Sequence, residues 1–324
     1  MYSRLFRTLL AGFALCAGPL HAQTDAYPTR AVTIVVPYSA GGGVDTVARL
    51  VAQHLSQRLG KPVVIENKPG VSGILGAQYV ARARPDGYTL LAGNMTTNVT
   101  NMLLVKEPGY DPQKDFTPIA LFNSFPTVLV VPPNSRFNSV ADVIAGLKAA
   151  PDTLNYGSSG IGSAHHLTAE LFQAATGTKM RHIPYKGGPG VMTDLMGGQL
   201  DLTFEVIPVA RPLIVGKRLK ALGVSSPQPL PALPGVRPIA ELGVPGFEMM
   251  YWNGLFAPAG TPDAIAERLG REVVGVLAIP EVKAKLEEIG SVAGTVRNAE
   301  FRKLQQADIA KWSDIIRKAG IKAE

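Results

Sequence analysis

Cysteine is nearly missing from this chain: among 324 residues there is one, Cys16, inside an apolar N-terminal stretch. Disulfide staples and Cys-ligated zinc are thereby excluded for the rest of the protein. Clustered charge is missing too. The net charge of +7 is scattered without a run of five Lys or Arg, and Arg4 and Arg7 carry two of those charges. Such scatter describes a solvated surface rather than a nucleic-acid face, and its mild positive field favours small anions. A membrane-spanning run is lacking as well, because the apolar segment from Leu9 to Ala17 is too short to cross a bilayer. Arg4 and Arg7 before it, and the Gly18-Pro19 break and Ala22 after it, have the order of a secretory signal peptide over residues 1–22, cleaved before Gln23. Leu15 stands where a lipoprotein signal needs a small residue, so Cys16 is not read as a lipid anchor.

Three signatures of chemistry are incomplete. The phosphate loop G-x-x-x-x-G-K-[ST] does not occur. Gly41-Gly42-Gly43 follows a strand and Glu66 ends the next one, as in a dinucleotide fold, but Thr46 stands where the third glycine belongs. "GSSGI" at 157–161 puts Ile161 in place of the last glycine of G-x-S-x-G; a triad of Ser159, His166 and Asp201 can be drawn, with nothing to fix its geometry. His165 and His166 are adjacent and so point about 100° apart on a helix, unlike the i, i+4 pair of a zinc site. His166 and Glu170 do share a face, as a surface or capping contact. No catalytic residue, cofactor or metal is expected.

What is present is alternation. "AVTIVVPY" (31–38) is a β-branched strand, and from Val44 the apolar positions 44, 47, 48, 51, 52, 55 and 59 mark an amphipathic helix that Gly60 stops. "PVVIEN", a helix at 74–84 and "YTLLAG" continue the pattern. "FTPIALF" and "TVLVVPP" read as two further strands, followed by a helix at 139–149, the strand "LNYGS", the helix "AHHLTAELFQAA", the strand "MRHIPYK", a short helix "GVMTDLMGG" and the strand "LDLTFEV". A proline-rich surface connection runs over 225–238, then a strand around "FEMMYWNGLFAP" and helices at 263–278, 281–288 and 299–319. Strands alternating with helices imply an α/β protein of two units joined near residue 124, each a mainly parallel sheet flanked by helices.

Four strand-to-helix corners are rich in glycine: "YSAGGGVD" (38–45), "NKPGVSG" (67–73), "GSSGIGSAHH" (157–166) and "YKGGPG" (185–190). Glycine lets another atom approach the backbone, and a helix start leaves main-chain N–H groups without intrahelical partners at the positive end of the macrodipole. Such corners bind anions, and in an open parallel sheet all lie at the carboxyl ends of the strands. Asp45 is placed to cap the first corner. Cations within the corners are few, Lys68 and Lys186, which favours a carboxylate, especially a dicarboxylate, over phosphate. Tyr38 either lines this cleft or packs beside it. Glu205, at a strand end, accepts hydrogen bonds from a ligand hydroxyl or ammonium, or from Lys or Arg, or else forms a salt bridge outside the cleft. Trp252 is read as core or hinge packing rather than a stacking platform.

"PYSAGGGVDTVAR", "ENKPGVSGILGA", "YGSSGIGSAHHLTAELF", "IPYKGGPGVMTDLMGGQLD" and "WNGLFAPAGTP" occur in that order, and with them the chain resembles the Bug-type substrate-binding proteins of tripartite tricarboxylate transporters from Tyr27 to the C-terminus. The resemblance implies a two-lobed periplasmic binding protein of the Venus-flytrap, type II-like kind, a monomer without catalytic activity. Residues 23–124 with 245–324 would form one domain and 125–244 the other. It implies main-chain and water-mediated capture of a carboxylate by Tyr38, Ala40, Gly41 and Gly42 on one side and by Ser158, Ser159, Gly160 and Ser163 on the other. Asn94, Met95 and Thr96 would form a further wall, where Asn94 and Met95 depart from the commonest pattern of small hydroxyl residues. Glu205, often Asp in relatives, would touch the variable end of the ligand. Ligands of such relatives are citrate-like acids, acidic amino acids, aromatic acids and nicotinate-like molecules. The implied partners are membrane permease subunits or, alternatively, a sensor kinase.

Overall fold

The computed structural model describes residues 27–185 and 188–319. The signal-peptide segment, Cys16 and Lys186 lie outside the described residues. The first half of the chain forms β1 (Val32–Val36), α1 (Gly43–Leu59), β2 (Val63–Asn67), α2 (Ile74–Ala81), β3 (Thr89–Asn94), α3 (Asn101–Leu104), β4 (Phe116–Val131) and α4 (Val140–Ala149). It continues with β5 (Asn155–Ser158), α5 (Ala164–Thr176), β6 (Arg181–Pro184), α6 (Gly188–Met196), β7 (Thr203–Val206), α7 (Ile207–Val215), β8 (Lys220–Val224), β9 (Met250–Pro258), α8 (Asp263–Leu277), α9 (Pro280–Glu288), β10 (Val292–Ala293) and α10 (Asn298–Ala319).

One sheet has the order β10-β4-β9-β3-β1-β2. Within it β1, β2, β3 and β4 run one way, and β9 and β10 run against them. Beyond Pro126 the far end of β4 pairs instead with β7 and β8. β5 and β6 are parallel partners, and a bridge from Tyr156 to Leu202 attaches them beside β7. Helices cover both faces of both sheets, which produces four apolar clusters. This is the two-lobed α/β arrangement that the alternating pattern predicted, but the sheets are mixed rather than mainly parallel, because β4 and β9 run antiparallel to the strands they pair with.

The stripe read from Val44 is the buried face of α1, with Val47, Ala48, Val51, Ala52, Leu55 and Leu59 packed on the sheet. Gly60 ends it at φ +66, where a side chain would be strained. "FTPIALF" and "TVLVVPP" are not separate strands, however. They fuse into the 16-residue β4, because Ser124, Phe125 and Pro126 keep their ladder partners Trp252, Tyr251 and Met250. Pro126 lacks an N–H and sits at the residue where β4 exchanges β9 for β7, a place where a missing donor is tolerated. Helix α7 escaped the sequence reading because Pro208 and Pro212 lie within it, and a proline inside a pattern reads as a breaker.

Candidate functional site

At the corner between β1 and α1, Ser39 to Gly43 are exposed. Gly42 is the N-cap, in extended conformation (φ −74, ψ 168) with no capping side chain. The N–H groups of Gly43 and Val44 therefore face outward without intrahelical acceptors. Gly41 differs from the expectation. Its N–H donates to Asp45 Oδ2 at 2.8 Å, which removes it from the donors open to a ligand. The buried Asp45 carboxylate also accepts from Arg49 Nε and Asn67 Nδ2, each at 2.8 Å. Burial alone would raise its pKa, but these donors outweigh it and hold the group down at about 2. Asp45 thus caps the corner and is itself neutralised by Arg49.

Tyr38 is half-buried and donates to Asn94 Oδ1 at 3.0 Å. Burial pushes its hydroxyl up to about 12, so it stays a donor at neutral pH. Asn94 Oδ1 also receives the Thr97 N–H at 3.1 Å. Thr96 gives its N–H to Tyr251 Oη at 3.0 Å, and the two hydroxyls are hydrogen-bonded. Met95 is packed in an apolar cluster. Asn94 and Thr96 are therefore buried parts of the wall behind the first corner rather than open ligand contacts. The "NKPGVSG" corner is closed as well: a Cβ on Gly73 would meet Thr97 Cγ2 at 2.7 Å and Tyr38 Oη at 3.0 Å.

The loop between β5 and α5 is the counterpart in the other lobe. Gly160 (φ +121) and Gly162 (φ +75) adopt conformations that require glycine. Ser158 is fully buried; its hydroxyl accepts from Gly160 N–H at 3.1 Å and lies 2.6 Å from His182 Nε2, so it serves the loop and not a ligand, against expectation. Ser163 caps α5 by accepting the His166 N–H at 3.4 Å. Ser159 is half-buried and pairs with His165 Nδ1 at 3.0 Å. A Cβ on Gly162 would lie 3.2 Å from Thr100 Oγ1 and 3.3 Å from Leu104 Cδ1, which sets this loop against the segment just after Asn94–Thr97. The first corner and the serine loop thus border the same stretch, 94–104, from the two lobes.

Glu205 is 1% exposed and paired with His165 Nε2 at 2.8 Å, not with Lys or Arg. The triad of Ser159, His166 and Asp201 is not assembled. Asp201 Oδ2 accepts the Asn155 N–H at 2.7 Å, and His166 Nδ1 accepts the Gly162 N–H at 3.1 Å. His166 is buried, not on the surface; it stacks on His182 with centroids 4.5 Å apart, and its Nε2 is 3.8 Å from Glu170 Oε1. Burial, and secondarily the neighbouring His182, push the His166 pKa well below the usual imidazole range; burial lowers His182 to about 4. Trp252 is core, with Nε1 donating to Asp308 Oδ2 at 2.7 Å and Phe301 edge-on at 5.2 Å. His182, Asn67 and Tyr251 support the site from distant elements, and no local pattern announces them. A cavity of about 530 Å³ lined by Leu230, Val274, Leu277 and Ser291 contains none of the expected site residues. Among the described residues no group of three or more His, Cys, Asp or Glu is arranged to hold a metal, and no helix is long and apolar enough to cross a membrane.

Residues 47–321 match the model of the tripartite tricarboxylate transporter family receptor, TctC. A protein from the tcbD-tcbE intergenic region of Pseudomonas sp. strain P51 is 36% identical, covering 96% of this chain and 93% of its own length. BugT of Bordetella pertussis is 32% identical over 94% of each chain. Among solved structures, Rpa4515 of R. palustris with adipate superposes at TM-score 0.83 with 38% identity, covering 92% of this chain and all 100% of its own. MatC of Rhodopseudomonas palustris with bound malate gives TM-score 0.77 and 32% identity, with coverage of 90% and 100%.

Proposed function

The chain belongs to the tripartite tricarboxylate transporter receptor family of periplasmic binding proteins, which are not enzymes, and on that premise we propose that it captures a small carboxylate for a membrane permease. Residues 1–22 act as the export signal. The ligand is a di- or tricarboxylic acid or a related organic acid; the relatives crystallised with adipate and malate support this class. The observation that carries the reading is that the open Ala40–Gly43 corner and the Ser159–Ser163 loop flank one stretch, 94–104, from opposite lobes. Main-chain amides at two helix starts supply the charge complement for a carboxylate without a dedicated cation.

The lobes are residues 23–124 with 245–324, and 125–244. They move about the partner exchange at Pro126 and Thr127 in β4 and about the return near Ser225–Met250, closing on the ligand as a hinge. A thermal-shift panel of mono-, di- and tricarboxylates, amino acids and phosphate tests the reading. A ligand at a hundred times its Kd adds about 2.7 kcal/mol of apparent stability. A response to phosphate alone, or to none of the acids, overturns it.

A further inference from the structure

Ser159 is the one side chain of the serine loop whose hydroxyl is both half-exposed and tied to a titratable group, and the tie has a direction. Glu205 Oε1 accepts the Val206 N–H at 2.9 Å and lies 2.8 Å from His165 Nε2, so that nitrogen carries a proton. In a neutral ring, His165 Nδ1 is then a bare acceptor, and Ser159 must donate its only proton to it across 3.0 Å. Ser159 would present lone pairs alone to the cleft, which repel a carboxylate. In the imidazolium the direction reverses: Nδ1–H donates to Ser159 Oγ and frees the hydroxyl proton for the ligand.

A second observation favours the charged ring. Glu205 is buried, its Oε2 has no hydrogen-bond partner among the described residues, and the basic group beside it is His165. A buried carboxylate without a counter-charge is costly. The other ionisable groups around α5 have their own partners. His166 faces His182 of β6, and Glu170 accepts from Tyr156 of β5. Asp308 of α10 is held by Trp252, and Lys311 by the Glu248 carbonyl. Residues 127–131 of β4 contain no ionisable side chain. Lys186 lies outside the described residues.

We propose that carboxylate binding is linked to protonation of His165, which acts as a positioning residue by turning Ser159 from a hydrogen-bond acceptor into a donor. The inference rests on the carboxylate reading above and deepens it: the bound species is an ionised carboxylate accompanied by one proton on the protein. A ligand offering a hydroxyl or ammonium to Ser159 would select the neutral ring instead.

The test is calorimetric titration of the mature protein with adipate and other dicarboxylates that carry no hydroxyl, from pH 6.5 to 9, in buffers of different ionisation enthalpy. The expected result is a Kd that rises with pH by up to about tenfold per unit, the limit for one linked proton, with buffer-dependent heat reporting proton uptake on binding. His165→Gln and Ser159→Ala should each flatten the slope; Ser159, less buried, guards against a variant that fails to fold. ¹⁵N spectra of the labelled ring should show both ring nitrogens of His165 protonated in the carboxylate complex. Binding with a flat pH profile, or a slope that survives His165→Gln, overturns the linkage while leaving the carboxylate reading intact. Failure of every carboxylate to bind at any pH overturns both.

Discussion

Thr127 and Ser225 are tied to each other three times: the Thr127 N–H donates to Ser225 Oγ at 2.8 Å, the Thr127 hydroxyl donates to the same oxygen at 3.2 Å, and the Ser225 N–H donates to the Thr127 carbonyl at 2.9 Å. Ser225 Oγ passes its own proton to the Met249 carbonyl at 2.7 Å. One buried hydroxyl therefore joins the end of β8, the far part of β4 and the approach to β9. Ser225→Ala leaves the buried Thr127 N–H and Met249 carbonyl without this partner, at a cost of about 1–3 kcal/mol. Urea unfolding should show a lower midpoint, and a variant as stable as the parent would mean that this junction does not depend on the hydroxyl.

Two neighbouring glycines should behave differently. Gly42 has an ordinary φ of −74, and an added Cβ would meet only the Ser39 carbonyl at 3.5 Å. Gly42→Val is expected to melt within a few degrees of the parent yet lose carboxylate binding, because the side chain would stand over the outward amides of the first corner. Gly41 is at φ +82, so Gly41→Ala should cost about 1–2 kcal/mol through backbone strain. If Gly42→Val still binds, the corner is a turn and not a grip.

Asp45 organises that corner, and its carboxyl is held at about 2, below the value near 3.9 of an unfolded chain. The folded state thus prefers the ionised form. The associated stability, about 2 kcal/mol, is complete above pH 4 and lost as pH falls toward 2. Asp45→Asn should remove this contribution at neutral pH and flatten the acid limb between pH 4 and 2 in denaturant titrations. An unchanged acid limb would show that Asp45 is not the group responsible.

The histidine stack acts in a higher window. His166 and His182 are held neutral by burial, below the unfolded value of about 6.5. The unfolded chain therefore binds more protons once pH drops under 6.5, and stability declines toward pH 4. His182→Phe keeps a ring between Tyr156 and His166 and removes one of the two titrating groups. Its melting temperature should fall less between pH 6.5 and 4 than that of the parent. An equal or steeper fall would assign the acid sensitivity elsewhere.

Local pattern carried much of this molecule. The β-branched run at β1, the stripe along α1 and the stop at Gly60 are nearest-neighbour properties, so they could be read directly. The glycine corners were legible for the same reason: only glycine reaches the φ values of Gly41, Gly160 and Gly162 without strain. What the corners do with their amides was not legible. Asp45 lies four residues from Gly41, and nothing in that spacing says whether its carboxylate takes the N–H or leaves it to a ligand.

The sequence by itself determined the class of fold, most of the succession of strands and helices, and the places where the backbone is bare, because these follow from short-range sterics and the period of apolar residues. Tertiary structure alone decided that "FTPIALF" and "TVLVVPP" are one strand. It alone paired Glu205 with His165, turned Ser158 inward to His182, and set Gly162 of one lobe against Thr100 of the other. Each of these depends on which distant partner satisfies a buried donor, acceptor or charge, and that is settled only when the whole chain has packed.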